Sequence, residues 1–452
     1  MNLFHSAGET IAAIATAPGS AAVGLLRISG PDALAIAASM THGRAAKISA
    51  RVASLCHVYD HEGELIDETL FTFFQAPRSY TGENTCEFAG HGGSLVMSRL
   101  LQRALACGAR LAEPGEFTRQ AFLNGKLDLT QAEAVMDLIS ARTEQAMRAA
   151  HQQRQGHLGQ KTESLRNEIL ETLAHIEAYI DFPDEDISPD VGRALLSRLQ
   201  KVNHGLISLL ATAGRGRILR DGIRTVISGA PNTGKSSLLN RLLGFDRAIV
   251  SDLAGTTRDT LEEAANIGGV LLRLIDTAGM RDQPADAIEA EGIRRSSVER
   301  DQADLVINVF DATSIAPAEL PESEQAQQQI FLLNKVDLGI HPSWQKHAEV
   351  IRFSCLTDEG FSEVEAAIRQ IAQTHAFDSG ASIIAINARH QDCLQRAHAA
   401  LDHAIAMLEE NADLALVSIE LREAMEALGE IAGKIDTEDL LGVIFSRFCI
   451  GK

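Results

Sequence analysis

One short run constrains this chain more than any other. Gly229-Ala-Pro-Asn-Thr-Gly234-Lys235-Ser236 is its only match to G-x-x-x-x-G-K-[ST]. An apolar, β-branched run (Arg224–Ser228) precedes it and a helical run (Ser237–Leu243) follows. Strand, glycine loop and helix in that order form a phosphate cradle. The glycines let backbone N–H groups wrap an anion, and the helix N-terminus adds a favourable dipole. Lys235 is expected to reach the β and γ phosphates of a nucleotide, and Ser236 to ligate Mg²⁺. Asn232, Thr233, Gly234 and Ser237 complete the nucleotide-contacting loop.

The chain around this loop reads as α/β. Val270–Ile275, Leu305–Phe310, Gln329–Leu333 and Val350–Phe353 are short continuous apolar runs separated by helical ones, the pattern of buried parallel strands. Further motifs fall where these runs end. Asp276-Thr-Ala-Gly279 places a carboxylate for Mg²⁺, held directly or through water, and an N–H at the γ-phosphate. Asn334-Lys335-Val-Asp337 places a carboxylate that can accept from guanine N1–H and N2–H₂. Adenine lacks both donors and would leave the acceptors unsatisfied, so Asp337 selects guanine. Ser354, with Cys355 beside it, completes the base pocket. Gly255-Thr256-Thr257-Arg258-Asp259 lies where a γ-phosphate-sensing switch belongs. Thr257 is the preferred second Mg²⁺ hydroxyl, and Thr256 is the alternative.

The flanks differ in texture. In residues 1–120, Ala22–Ser29 reads as a strand, and Arg51–Tyr59 with Leu65–Phe74 as a hairpin. Ser94–Cys107 reads as a helix stopped by Gly108. Pro77–Gly93 has no period and reads as a surface loop. Beyond Thr118 the chain turns helical. Thr130-x-x-Glu133 is a capping-box pattern, and Leu165, Ile169, Leu173, Ile176 and Ile180 form a helical stripe. The acidic Phe182–Asp186 cluster reads as a solvated turn. Helical stripes return after Ala385, at Leu394, Ala397, Leu401, Ile405 and Leu408, then at Leu421, Met425, Leu428 and Ile431. Helical chain on both sides of one α/β body implies that the body is inserted into a helical domain.

Composition narrows the function. The net charge is −20, and residues 1–120 account for only −2 of it (nine Lys+Arg, eleven Asp+Glu). An anionic chain is a poor autonomous binder of nucleic acid, which requires basic surface. Three Tyr and one Trp argue against base-stacking platforms. Six dispersed cysteines without a C-x-x-C pair suit free thiols in the cytoplasm, not a disulfide or zinc framework. The uncharged stretch Thr10–Leu26 is broken by Pro18 and Gly19, so neither a leader peptide nor a membrane span is expected.

The four GTPase motifs, the ending Phe448-Cys449-Ile450-Gly451-Lys452, and the runs Val23–Gly30, Tyr80–Glu83, Gly90–Gly93, Pro114–Phe117 and Phe122–Leu129 together resemble the MnmE (TrmE) family of tRNA-modification GTPases. The resemblance covers essentially the whole chain. It implies a multidomain fold, α+β and α/β. An α+β folate-binding, dimer-forming domain would span residues 1–120. A discontinuous α-helical domain would take residues 121–218 and 381–452, with a Ras-like P-loop GTPase domain (219–380) inserted between them. It also implies a homodimer and a heterotetramer or larger assembly with the FAD protein MnmG (GidA). Together the pair would add an aminomethyl or carboxymethylaminomethyl group to C5 of wobble uridine in tRNA. The carbon would come from a tetrahydrofolate derivative, 5-formyl or 5,10-methylene.

Residue by residue, the resemblance places Arg27, Glu83, Lys126 and Lys452 at the folate. It places a K⁺ ion on Asn232, the carbonyls of Ser251 and Leu253, and the Thr256 position. Glu289 matches the family's glutamate that polarises the attacking water through a second water. Met280 stands where Ras-like GTPases orient that water with Gln, and a thioether cannot do so. K⁺ would then neutralise charge developing between the phosphates, and two GTPase domains would have to meet to order the switch around it. Cys449 has two readings, a catalytic or substrate-positioning thiol and a small residue anchoring the terminus. A ribosome-associated GTPase switch is the competing function, but the extra domains lack its basic character. An ATP-dependent enzyme conflicts with Asp337. The acidity of the chain assigns most tRNA affinity to MnmG.

Overall fold

The computed structural model describes residues 8–181, 191–244, 263–275, 303–321, 328–376, 385–410, 412–434, 438–446 and 448–452. They fall into two compact units. One draws on residues 1–136, 154–202 and 396–452, the other on 137–153 and 203–395.

The first unit begins with a six-stranded sheet. Its strands are β1 (Ile11–Ile14), β2 (Val23–Ser29), β3 (Ser54–Tyr59), β4 (Leu65–Phe74), β5 (Thr85–His91) and β6 (Arg110–Leu111), in the order β3-β4-β5-β2-β1-β6. Only β1–β6 is parallel. Helices α1 (Ala33–Met40) and α2 (Ser94–Ala106) cover one face, around Leu26, Ile28, Phe71, Phe88 and Leu100. Helix α2 stops where expected, with Gly108 at φ 108°. The opposite face carries a cross-strand row, Leu55–Leu70–Ala89–Leu25. Leu55 and Leu70 are 58% and 47% exposed there.

The expected loop over Pro77–Gly93 is a correction. Its second half is β5, paired along both edges inside the sheet. The strand tolerates Gly90 because a side chain there would strike the Asp67 carboxylate.

Helices α3 (Glu116–Leu123), α4 (Leu129–Ser140), α5 (Glu144–Arg154), α6 (His157–Asp181) and α7 (Val191–Leu210) follow. The start of α4 is a second correction. Asp128 Oδ1 accepts from the Gln131 N–H at 2.8 Å, and Gln131 Oε1 accepts from the Asp128 N–H at 2.9 Å. The reciprocal capping box therefore sits two positions before the Thr130–Glu133 pair.

In the second unit α8 (Ala213–Asp221) leads into β7 (Ile223–Ser228), α9 (Lys235–Gly244), β8 (Glu263–Ile267), β9 (Val270–Leu274), β10 (Leu305–Asp311), β11 (Gln328–Asn334), β12 (Ile351–Arg352) and α10 (Phe361–Ala376). The sheet runs β12-β11-β10-β7-β9-β8, all parallel except the β8–β9 pair. Strand β10 is buried over Leu305–Val309, as its mainly apolar run, interrupted only by the buried Asn308, requires. This order, with one antiparallel strand at the edge beyond β9, is Ras-like.

Helices α11 (Ala388–Glu409), α12 (Leu414–Ala432) and α13 (Glu438–Phe445) close the chain. Helix α12 packs along α6, so chain segments on either side of the α/β insertion build one helical body. Leu165, Ile169, Leu173 and Ile176 of α6 are buried, as are Val417, Leu421, Leu428 and Ile431 of α12. Ile180, last in the expected stripe, is exposed. The C-terminal residues return to the first unit's sheet domain. Phe445 and Phe448 pack with Leu129, Ala132 and Phe122, and Ile450 forms an antiparallel bridge with Pro114. Among the described residues no helix is long and apolar enough to cross a membrane.

Candidate functional site

The Gly229–Gly234 loop joins the end of β7 to α9. Gly229 has φ 152° and lies against the Val309 carbonyl, and Gly234 has φ 99° and lies against the Asn334 amide. A Cβ at either position would collide with those groups, so the cradle has room only for glycine. Asn232 adopts the left-handed region (φ 63°). Lys235 opens α9, and its Nζ donates to the carbonyls of Gly229 (2.9 Å) and Ala230 (2.8 Å). The ammonium thus lies over the loop, and burial pushes its pKa down. Ser236 and Ser237 are exposed in the first turn of the same helix.

The Asn334–Asp337 turn leaves β11 and is tied to that loop. Asn334 is buried; its Nδ2 donates to the Thr233 carbonyl (2.9 Å), and its Oδ1 accepts from the Cys355 N–H (3.2 Å). Lys335, at φ 68°, donates from Nζ to the Asn232 carbonyl and to Asp311 Oδ2, both at 2.7 Å. Asp337 is exposed, and its Oδ1 accepts from the Ser354 hydroxyl at 2.6 Å. Ser354 is fully buried, and its Oγ accepts from the N–H groups of Leu356 and Thr357. One chain of contacts therefore joins Thr233, Asn334, Lys335, Asp337 and Ser354.

Asp311 was not singled out in the sequence. It ends β10 one register position from the Lys335 turn. Burial pushes its carboxyl up, but Lys335 and Thr313 outweigh that and hold it below its usual range. Its only signal in the sequence was its place at the end of an apolar strand. Ser251, Leu253, Thr256, Thr257, Asp276, Gly279, Met280 and Glu289 lie outside the described residues.

A second constellation lies in the first unit. Arg27 on β2 pairs with Glu87 on β5 at 2.9 Å. Its guanidinium sits 5.7 Å from the Tyr80 ring centroid and 5.6 Å from that of Phe117. It also donates to the Gly451 carbonyl at 3.4 Å. Gly451 has φ 97°, and a side chain there would strike the end of β1 at Ile14. This close fit brings Lys452 near Arg27. Burial, then the Arg27 charge, pushes the Lys452 ammonium pKa down. Cys449 is half-buried, and its carbonyl accepts from the N–H groups of Gly115 and Lys452.

Burial pushes the Glu83 carboxyl up, opposed by a hydrogen bond from Ser29. Its Oε2 is shielded and has no hydrogen-bond partner among the described residues. A carboxylate oxygen in that condition suits a ligand that brings N–H donors. Lys126 is exposed, with Nζ on the Pro77 carbonyl at 3.1 Å. Tyr80, Glu87 and Gly451 had no individual signal in the sequence, because only strand pairing and the return of the terminus bring them to Arg27.

The family model described as "MnmE helical domain" matches residues 129–449, and that described as "GTP-binding protein TrmE N-terminus" matches 10–126. A protein of Akkermansia muciniphila named tRNA modification GTPase MnmE is 51% identical over 98% of this chain and 99% of its own length. Proteins of the same name from Clostridioides difficile and Bacillus subtilis are each 41% identical, over 98% of this chain and 99% and 100% of their own lengths.

Proposed function

The chain belongs to the MnmE family of tRNA modification GTPases, and from that we propose that it hydrolyses GTP while its folate domain supplies a carbon to wobble uridine. The observation that carries the reading is the joining of two motifs 101 positions apart, with Asn334 bound to Thr233. A phosphate cradle and a guanine-selecting carboxylate thereby share one rigid wall.

In this reading Lys235 provides the cation for the β and γ phosphates. Ser236 and Thr257 hold Mg²⁺, with Asp276 reaching it directly or through water, and Gly279 gives an N–H to the γ-phosphate. Asn232, the carbonyls of Ser251 and Leu253, and Thr256 hold K⁺. The metals supply charge neutralisation at the phosphate oxygens. Glu289 orients the attacking water through a second water, because Met280 cannot. Closing the K⁺ site requires the GTPase domains of a homodimer to meet.

Arg27, Glu83, Lys126 and Lys452 bind the tetrahydrofolate derivative, with Glu83 accepting from pterin N–H groups. Cys449 lies three residues before Lys452 and serves as a catalytic or positioning thiol in the one-carbon step. The homodimer forms through the open sheet face with the Leu55–Leu70–Ala89–Leu25 row. MnmG brings FAD and most of the tRNA affinity, consistent with a chain of net charge −20. The domains divide at 1–120, 121–218, 219–380 and 381–452, and the protein works in the cytoplasm.

The deciding experiment is nucleotide turnover by the pure protein in KCl and in NaCl. GTP and not ATP should be hydrolysed, with K⁺ faster than Na⁺ by about tenfold or more, since one well-placed charge stabiliser is worth at least that. Equal rates in both salts would remove the K⁺ mechanism. A Cys449→Ser protein should keep GTPase activity and lose tRNA modification; retained modification would leave the thiol only an anchor.

A further inference from the structure

A cleft of about 680 Å³ opens in the sheet domain, lined by Arg51, Thr72, Phe74, Arg78, Tyr80 and Lys126 among others. That volume suits a small-molecule segment. Its three cations share one feature. In a protein with 61 acidic residues, none of Arg51, Arg78 and Lys126 forms an ion pair with a carboxylate among the described residues. Two of them are fixed by one turn. Arg51 donates to the Arg78 carbonyl at 2.6 Å, and Lys126 donates to that of Pro77 at 3.1 Å.

Arg51 is held at φ 64°, a region that non-glycine residues seldom occupy and that is often associated with function. The Ser79 hydroxyl in the cleft wall is shielded and makes no hydrogen bond among the described residues. The cleft adjoins the Arg27 constellation, because Tyr80 lines it while its ring lies beneath the Arg27 guanidinium. Tyr80 is fixed there by a 2.9 Å hydrogen bond between its hydroxyl and that of Thr118.

We propose that this cleft binds the γ-linked polyglutamate tail of the folate, so that the natural one-carbon donor is a polyglutamylated rather than a monoglutamyl species. The inference rests on the folate reading above and extends it. Each additional glutamate brings one carboxylate, and three cations without acidic partners can accept a chain of them at little desolvation cost in an open cleft. An RNA backbone is the weaker occupant. RNA requires a broad basic surface, whereas these charges line one small cleft on an acidic protein.

The test is calorimetric binding of 5-formyl-tetrahydrofolate to the full chain, as the monoglutamate and as the pentaglutamate, at low and high salt. The pentaglutamate should bind about tenfold more tightly at low salt, as a few exposed ion pairs allow, and salt should erode the difference. Arg51→Gln together with Arg78→Gln should abolish the preference and leave monoglutamate affinity unchanged. Equal affinity for the two ligands, with the monoglutamate binding normally, overturns the polyglutamate site and leaves the folate reading intact. A preference that survives in the double variant overturns it too. Binding of neither ligand removes the folate reading and this inference with it. Loss of affinity for a single-stranded RNA oligonucleotide in the double variant, without a pentaglutamate preference in the parent, would reassign the cleft to RNA.

Discussion

Asn334 and Thr233 are joined by a buried hydrogen bond from side-chain amide to backbone carbonyl, 2.9 Å long. The Asn334–Asp337 turn is thereby fixed to the Gly229–Ser236 loop, the proposed base and phosphate sites. Asn334→Ala leaves that carbonyl and the Cys355 N–H without a partner in a buried place. Each orphaned group costs about 1–3 kcal/mol. We expect GTP and GDP affinities to fall together by about tenfold or more, with a lower melting temperature. Fluorescent-nucleotide titration and thermal unfolding check both. Unchanged affinity would mean that the two motifs act independently.

Asp337 tests base choice separately. Ser354 donates to its Oδ1 and orients the carboxylate. Asp337→Asn replaces one acceptor by a donor, which opposes the guanine N–H groups. Xanthine carries a carbonyl where guanine carries its amino group, and so suits the variant. Competition binding should show GTP weakened by about 10²-fold or more, as expected when a site built for a polar partner loses it, with xanthosine triphosphate gaining. An unaltered preference for guanine over adenine would refute the assigned role.

Gly234 tests the cradle. Its φ of 99° and its closeness to the Asn334 amide leave no place for a Cβ. Gly234→Ala should lose nucleotide binding and destabilise the protein by about 1–3 kcal/mol from backbone strain. Gly244, with nothing within 4 Å of an added Cβ among the described residues, should accept alanine with little effect on binding. Parallel nucleotide titrations and urea unfolding of the two variants give the comparison.

The α/β body was legible because local pattern and burial coincide there. Buried parallel strands read as unbroken apolar runs, and β7, β10 and β11 lie within a residue or so of their expected bounds. Strand β5 was not legible. Glu87 and Gly90 weaken its local β signal, and its position comes from pairing with β4 and β2. The cap of α4 was misplaced because Asp128-x-x-Gln131 and Thr130-x-x-Glu133 both fit the pattern, and only geometry separates them. The contacts of Lys335 with Asp311 and of Arg27 with Gly451 span 24 and 424 positions. Spacing carries no information about such partners; strand register and the return of the C-terminus create them.

The cap makes its own prediction. Asp128 holds the Gln131 N–H and the Thr130 hydroxyl through its Oδ1. Asp128→Ala should cost about 1 kcal/mol, the usual value of an N-cap, measured as a shift in urea midpoint with unchanged slope. Asp128→Asn, which keeps the acceptor, should recover most of it. If both variants matched the parent protein, the cap would contribute nothing to stability.

His91 offers a test by pH. Its Nδ1 lies 2.7 Å from Asp67 Oδ1, with the ring largely exposed and the carboxylate buried. The Asp67 hydrogen bond, then its charge, raises the His91 pKa above the ordinary value. A histidine whose pKa is raised by folding contributes stability that is complete below its unfolded value, about 6.5. That contribution is lost as the pH climbs through the higher folded value. The difference in unfolding free energy between the parent protein and His91→Gln should therefore be larger at pH 6 than at pH 9, with the change between those limits. The imidazole C2 proton, followed by NMR, should titrate with a midpoint above the ordinary one in the parent protein and move down in Asp67→Asn. Asp67 also accepts from the His91 and Glu68 N–H groups, so Asp67→Asn will lose stability at every pH. The NMR midpoint, rather than its melting temperature, reports the pair. A midpoint at the ordinary histidine value in the parent protein would mean that the two side chains do not interact in solution.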